Sequence, residues 1–196
     1  MRWQLELFGT AAPAFDAGFQ TLRREELASG AWIDYAPGWV AGHEVLFDRL
    51  TTSLEWRSES RPMYDRVVAV PRLLASVPAV DVIADMQRAL GKRYGEDFAR
   101  TTAALYRDGS DSVAFHGDTT ARDLEQAVVA TVSLGEPRKF LLKPAAGGGS
   151  ITYRLGRGDL IVMGGTCQRT WRHAIPKAVS AGPRIALMFR PVWLPP

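Results

Sequence analysis

From Thr101 to Arg190 the chain breaks into short apolar and β-branched runs, TTAALY, SVAFH, QAVVATVSL, KFLLKP, SITYRL, DLIVMGG and RIALMFR. Between them lie RDGSD, LGEPR, AAGGGS, GRGD and SAGP. Their Gly, Pro, Asp and Ser residues suit hairpin turns and corners, and Gly147 to Gly149 read most simply as a turn, because no helix follows to make a phosphate cradle. Strands at this spacing predict two packed antiparallel sheets, a sandwich or jelly roll.

Helices come first. AWIDYAPGWV reads as a short strand pair around a Pro-Gly turn, and GHEVLFDRLTTSL places Val45, Leu46, Arg49 and Leu50 at helical spacing. Residues Glu55 to Pro78 show no clear period and predict a long surface segment. From Val80 to Tyr94 the apolar positions share one helical face, and Gly95 stops it. The predicted class is α+β, mainly β: a double-stranded β-helix (jelly roll) buttressed by N-terminal helices. One domain is expected over residues 1–196, with helices and a lid in about 1–97 and the jelly-roll core in 98–196.

Composition sets limits on function. The 196 residues are 46% hydrophobic and 23% charged, as in a soluble globular protein. A net charge of +3, from 24 basic and 21 acidic residues, permits an anionic partner but is no polybasic tail. The single cysteine, Cys167, excludes an internal disulfide, fits a reducing compartment, and reads as a small buried residue rather than a nucleophile. MRWQLELFGT lacks the apolar stretch of a signal peptide, and no run of about 18 apolar residues spans a membrane. The expectation is a cytoplasmic monomer with no membrane contact.

In an extended segment, His116 and Asp118 of SVAFHGDTT point to the same side. With His173, at the end of QRTWRH in another strand-like segment, they make two imidazoles and a carboxylate, the set that holds non-haem Fe(II) with positions left open; zinc is the competing metal. Ordinary core or loop histidines remain the alternative for so short a motif. On PRIALMFRP, Arg184 and Arg190 share a strand face with Ala186 and Met188. Two buried cations need an anion, and a guanidinium fork matches a carboxylate; the alternative is that both point to solvent.

MYDRVVAVPRL, LYRDGSDSVAFHGD, VSLGEPRKFLLKP, GDLIVMGGTCQRTWRHAIPK and GPRIALMFRP together resemble the AlkB-like family of Fe(II)- and 2-oxoglutarate-dependent dioxygenases. The resemblance runs from about Arg61 to Pro191. It implies His116, Asp118 and His173 as iron ligands, with no catalytic side chain beyond them. Arg184 would meet the distal carboxylate of 2-oxoglutarate, Arg190 the carboxylate at iron, and Tyr106 the cosubstrate through its hydroxyl. Fe(II) is the implied cofactor, 2-oxoglutarate and O2 the cosubstrates. Alkylated DNA or RNA is the implied partner, with oxidative demethylation of its bases.

Departures from the family pattern are specific. Ala104 and Ala186 stand where the family usually has asparagine, removing two cosubstrate hydrogen bonds worth about 1 kcal/mol each. Met188 stands where a small polar residue is common, and Thr119 and Thr120 replace acidic residues that help to hold the damaged base. Arg61 to Arg72 resembles the nucleotide-recognition lid. In and just before it, Tyr64 or Trp56 is a candidate to stack on a base, and Arg57, Arg66 or Arg72 to meet phosphates; semi-buried covers and a solvated rim are the alternative. Tyr64, Arg72, Thr119 and Thr120 are the substrate-site candidates. Two other functions stay open: an oxygenase acting on a protein or small molecule, and a module that binds modified nucleic acid without turnover.

Overall fold

The turn-formers do divide the second half of the chain into strands. The computed structural model describes residues 12–63, 66–118 and 121–192. In chain order they form β1 (Ala14–Phe15), β2 (Arg23–Glu26), β3 (Ala31–Ala36), β4 (Val40–Ala41), α1 (His43–Ser53), β5 (Arg57–Met63), β6 (Arg66–Ser76) and α2 (Asp81–Tyr94). β7 (Arg100–Tyr106), β8 (Val113–His116), β9 (Val129–Gly135), β10 (Arg138–Pro144), β11 (Ile151–Leu155) and β12 (Asp159–Gly165) follow. The short helix α3 (Cys167–Thr170), β13 (Trp171–Ile175) and β14 (Arg184–Arg190) complete the fold.

Two antiparallel sheets face each other as in a jelly roll. The major sheet runs β2-β3-β12-β9-β14-β7-β6-β5 and the minor sheet β11-β10-β13-β8. Side-chain alternation along the central strands gives the major sheet two different faces. Ile185, Leu187 and Phe189 of β14, Ala103 and Leu105 of β7, and Val132 and Leu134 of β9 pack with the buried rows of α1 and α2: Leu46, Leu50, Ile83, Met86 and Leu90. Ala186, Ala104, Tyr106, Val129 and Met163 face the other way, against Phe140, Leu142, Trp171 and Ile175 of the minor sheet. The helices therefore buttress one face, and the intervening alternate positions are left to line the space between sheets.

Helix α2 matches its periodicity, with Gly95 capping it in the left-handed region at φ 71°. Three expectations are corrected. β3 and β4 do not pair with each other across Pro37 and Gly38: β3 lies between β2 and β12, while β4 pairs with β1. Residues 55–78 are largely a β5–β6 hairpin on the edge of the major sheet, so the first half of the chain supplies four of its strands as well as helices. An edge strand needs one partner and carries no buried row on both sides, which leaves it without the apolar alternation of a central strand. QRTWRH begins as one helical turn and becomes a strand only at Trp171. Among the described residues no helix is long and apolar enough to cross a membrane.

Gly135 ends β9 at φ 81°, directly opposite Arg184. A Cβ there would lie 2.5 Å from the Pro183 carbonyl oxygen, a backbone atom that cannot swing aside. Gly135→Ala is expected to lower stability by about 1–3 kcal/mol, measured by urea unfolding, because the left-handed backbone and the clash act together.

Candidate active site

β8 and β13 are neighbours in the minor sheet, and His116 sits directly opposite His173 in their register. That pairing brings the two rings to 4.3 Å between centroids. Each ring is oriented by a different device. His116 Nδ1 lies 2.8 Å from the Ala114 carbonyl oxygen and donates its N–H to it, which leaves the Nε2 lone pair for a metal. His173 stacks on Phe140, 5.5 Å between centroids and 13° from parallel.

Burial pushes the pKa of both histidines down. His173 is held well below its ordinary value, first by desolvation, then by the charge on His116 and by Arg190 and Arg72. Both are thus neutral near pH 7, the form that donates a lone pair to a metal.

Gly117 separates His116 from Asp118 because the chain passes close under α3: a Cβ at Gly117 would lie 2.3 Å from the Gln168 carbonyl oxygen. The Asp118 amide donates to the Gln168 side-chain oxygen at 2.9 Å, tying this turn to α3. The Asp118 carboxylate accepts from Arg190 Nε at 2.5 Å, and Arg190 Nη1 donates to Thr102 at 2.8 Å. Among the described residues no three His, Cys, Asp or Glu side chains stand ready-made around one point. The donor set still fits a divalent iron: two neutral imidazoles, with a carboxylate that follows His116 by two residues and lines the same cavity.

Arg184 and Arg190 do share a face, and it is the inner one. Both line one cavity of about 1550 Å³ together with His116, Asp118, His173 and Tyr106. Arg184 is only 1% exposed. Its Nε and Nη2 both donate to the Ser133 hydroxyl, at 3.1 and 2.5 Å, and Nη1 is buried with no acceptor among the described residues. Desolvation lowers its pKa to about 10, so it remains charged at neutral pH. A buried cation with a spare donor on a cavity wall fits a carboxylate, the chemistry of a dicarboxylic acid. Tyr106 lies beside it, its ring centroid 5.3 Å from the Arg184 guanidinium carbon. Ala104 and Ala186 face each other directly in the β7–β14 register and also line the cavity, so two side chains that supply hydrogen bonds in the family pattern are methyl groups at one place.

Arg72 lies on the cavity wall, its Nη1 3.5 Å from the Tyr106 hydroxyl. Trp56 turns its indole nitrogen back to the Thr51 carbonyl oxygen at 3.1 Å and packs on the helix-side core, so it is a cover rather than a stacking platform. Arg57 lines the cavity but pairs with Glu55 at 3.0 Å. Tyr64, Thr119 and Thr120 lie outside the described residues, as does the side chain of Arg66.

Sequence reasoning missed Ser133, Phe140, Gln168 and Arg138. Arg138 is 3% exposed and donates to the carbonyl oxygens of Asp108, Asp111 and Pro176, clamping the loop that leads into β8. Ser133 and Arg138 carried no local signal: Ser133 is one hydroxyl in VATVSL, and Arg138 stands beside Lys139 at the start of its strand.

Because both histidine pKa values are depressed on folding, the unfolded chain binds more protons below about pH 6.5. Stability of the metal-free protein should therefore fall as pH drops from 7.5 to 5.5. Replacing His173 by Gln should flatten that slope, read by urea unfolding at the two pH values.

The sequence pattern of the 2OG-Fe(II) oxygenase superfamily matches residues 20–190. The chain is 28% identical over 188 residues to "Alpha-ketoglutarate-dependent dioxygenase alkB homolog 3" of Bos taurus, covering 82% of this chain and 66% of that protein. It is 34% identical over 120 residues to "DNA oxidative demethylase ALKBH2" of Arabidopsis thaliana, covering 49% of this chain and 38% of that protein. Among solved structures, OsALKBH1 aligns with a TM-score of 0.59 at 13% identity, over 86% of this chain and 100% of that one. An oxidoreductase of the 2OG-Fe(II) oxygenase family from Burkholderia pseudomallei aligns with a TM-score of 0.55 at 14% identity, over 83% and 85%. The match along most of the chain and the shared jelly roll agree: this chain belongs to the 2OG-Fe(II) oxygenase superfamily and is an AlkB-like member of it.

Proposed function

We propose that the protein is an Fe(II)- and 2-oxoglutarate-dependent dioxygenase that oxidatively demethylates alkylated bases in DNA or RNA. The observation that carries this reading is the buried Arg184 with its spare Nη1, facing the same cavity as the paired His116 and His173. The names of its relatives, a dioxygenase alkB homolog and a DNA oxidative demethylase, support the substrate class. The chain spans 66% of the length of alkB homolog 3.

His116, Asp118 and His173 are the proposed iron ligands, Arg184 and Tyr106 the anchors of 2-oxoglutarate, and Arg190 the cation that meets its iron-side carboxylate. Iron, 2-oxoglutarate and O2 supply the oxidation: one oxygen atom enters succinate as CO2 leaves, and the other enters a C–H bond of the N-methyl group. The resulting hydroxymethyl then loses formaldehyde, the electron pair of the broken C–N bond staying on nitrogen.

The protein's own contribution is placement. Ser133 fixes Arg184 by taking two of its donors, so Nη1 points at one spot. The Ala114 carbonyl and the Phe140 ring hold the imidazoles in position. Met163, Ile175 and Phe140 give the cavity floor an apolar lining that limits water around the reacting methyl. A single-domain cytoplasmic monomer is the form this reading assumes.

The test supplies Fe(II), 2-oxoglutarate and methylated oligonucleotides, and follows succinate, formaldehyde and restored base together. Succinate without base repair would remove nucleic acid as the substrate. Arg184→Met should weaken 2-oxoglutarate binding by about 2 kcal/mol, some thirtyfold, because a charge-assisted contact is lost. Calorimetry with Mn(II)-loaded protein reads that loss without turnover.

A further inference from the structure

We propose that the outward face of the minor sheet, on the far side from the cavity, is a docking surface for the nucleic-acid backbone that flanks the base held in the site. The choice of partner rests on the reading of the site as a base demethylase. The surface itself rests on charge and register.

Charge is divided unevenly along the chain. Residues 1–136 hold 14 basic and 20 acidic side chains, whereas residues 137–196 hold 10 basic and one acidic, Asp159. Such an asymmetry within one domain gives it a basic side, the footprint that an anionic partner meets. The second part supplies β10, β11 and β13, three of the four strands of the minor sheet. None of the four strands contains an Asp or Glu.

Alternation decides where these cations point. Phe140, Leu142, Tyr153, Leu155 and Trp171 pack inward, so Lys139, Lys143, Arg154 and Arg172 lie on the opposite face. Lys139 and Arg154 are exposed. The register sets Lys139 directly opposite Arg154, and Lys143 directly opposite Arg172. Like charges directly opposite each other weaken a sheet, and none of the four forms an ion pair among the described residues. A polyanion laid across the strands turns both repulsions into attraction. From Lys139 to Lys143 the strand rises about 13 Å, the length of about four stacked nucleotides.

Phe115 joins this face to the site. It precedes His116 on the edge strand β8, lines the cavity and is 37% exposed, with the Lys143 ammonium 4.1 Å from its ring centroid. An aromatic ring beside a cation suits a stacked base and its phosphate. A strand whose base occupies the cavity leaves it past Phe115 onto Lys143 and Arg172, then onto Lys139 and Arg154. A lipid surface fits less well, because such contacts insert large apolar side chains and the outward positions of β10 and β11 offer Leu141 alone.

The experiment compares Lys139→Glu/Arg154→Glu with a charge-matched control, Arg23→Glu/Lys92→Glu, at exposed positions of β2 and α2. Binding of an unmethylated single strand of about 20 nucleotides is read by fluorescence anisotropy over a potassium chloride series. The outer-face variant should bind about tenfold more weakly at low salt, and its salt slope should fall by about 1.4, from two backbone contacts at about 0.7 each. The control should stay within about twofold of wild type. On a methylated trinucleotide, too short to reach the face, kcat/KM should be unchanged in both variants, while on the long methylated strand only the outer-face variant should lose. Equal losses in the two variants overturn the proposal, as does an unchanged salt slope in the outer-face variant. Unchanged oligonucleotide binding together with lost binding to polyglutamate or to anionic lipid vesicles also overturns it, assigning the face to a protein or a membrane. Repair of the trinucleotide with no contribution from the face removes this inference and leaves the demethylase reading intact. Oligonucleotide binding through the face with no base repaired does the reverse.

Discussion

Everything in the cavity depends on one buried cation. Arg184 sits on the inward row of a central strand, 1% exposed, and taking a guanidinium out of water costs several kcal/mol unless its donors are met. Ser133 meets it with a single oxygen, shared by two donors. The third, Nη1, is buried with no acceptor among the described residues, so the protein stores an unmet demand for an anion at a fixed place on the cavity wall. The fold tolerates that cost because the other face of the same strand is apolar: Ile185, Leu187 and Phe189 lie fully buried against α1 and α2. Strand alternation lets one segment anchor the core and carry the site.

The charge around the site is arranged in one sense. Arg72, Arg184 and Arg190 all line the cavity, and Asp118 is already engaged with Arg190. The same cations that would draw a dicarboxylate also press the imidazole protons off, Arg190 and Arg72 on His173 and Arg72 on His116. Ligand attraction and ligand-competent histidines are thus two effects of one field, reinforced by burial.

How far this was readable in the sequence follows from how local each signal is. The strands with alternating faces, β7, β9, β12 and β14, stand out as runs because both of their rows are buried. β2 reads RREE, exposed at every position; backbone pairing to β3, the Arg24–Asp34 ion pair at 2.7 Å and the Tyr153 hydroxyl donating to Glu25 hold it, and no apolar pattern announces it. His116, His173, Arg184 and Arg190 were readable because their residue types are costly to bury without purpose. Ser133 was not: one hydroxyl in VATVSL is compatible with any half-buried strand, and its role exists only because β14 lies beside β9. Asp118 was readable as a neighbour of His116, whereas its ion pair with Arg190 requires the two sheets to face each other.

Ala104 and Ala186 bear on how the acid would be held. They are opposite each other on β7 and β14, buried to 1% and 5% exposure, so the loss of polar groups falls at one point of the wall rather than being spread along it. The hold on a dicarboxylate then concentrates at its distal end, on Arg184 as fixed by Ser133, with the Tyr106 ring alongside. Anchoring of that kind depends on one preorganised ion pair more than on several weak contacts. The geometry that preorganises it, two donors on one serine and a glycine at 135 that lets β9 end opposite Arg184, becomes correspondingly intolerant of change.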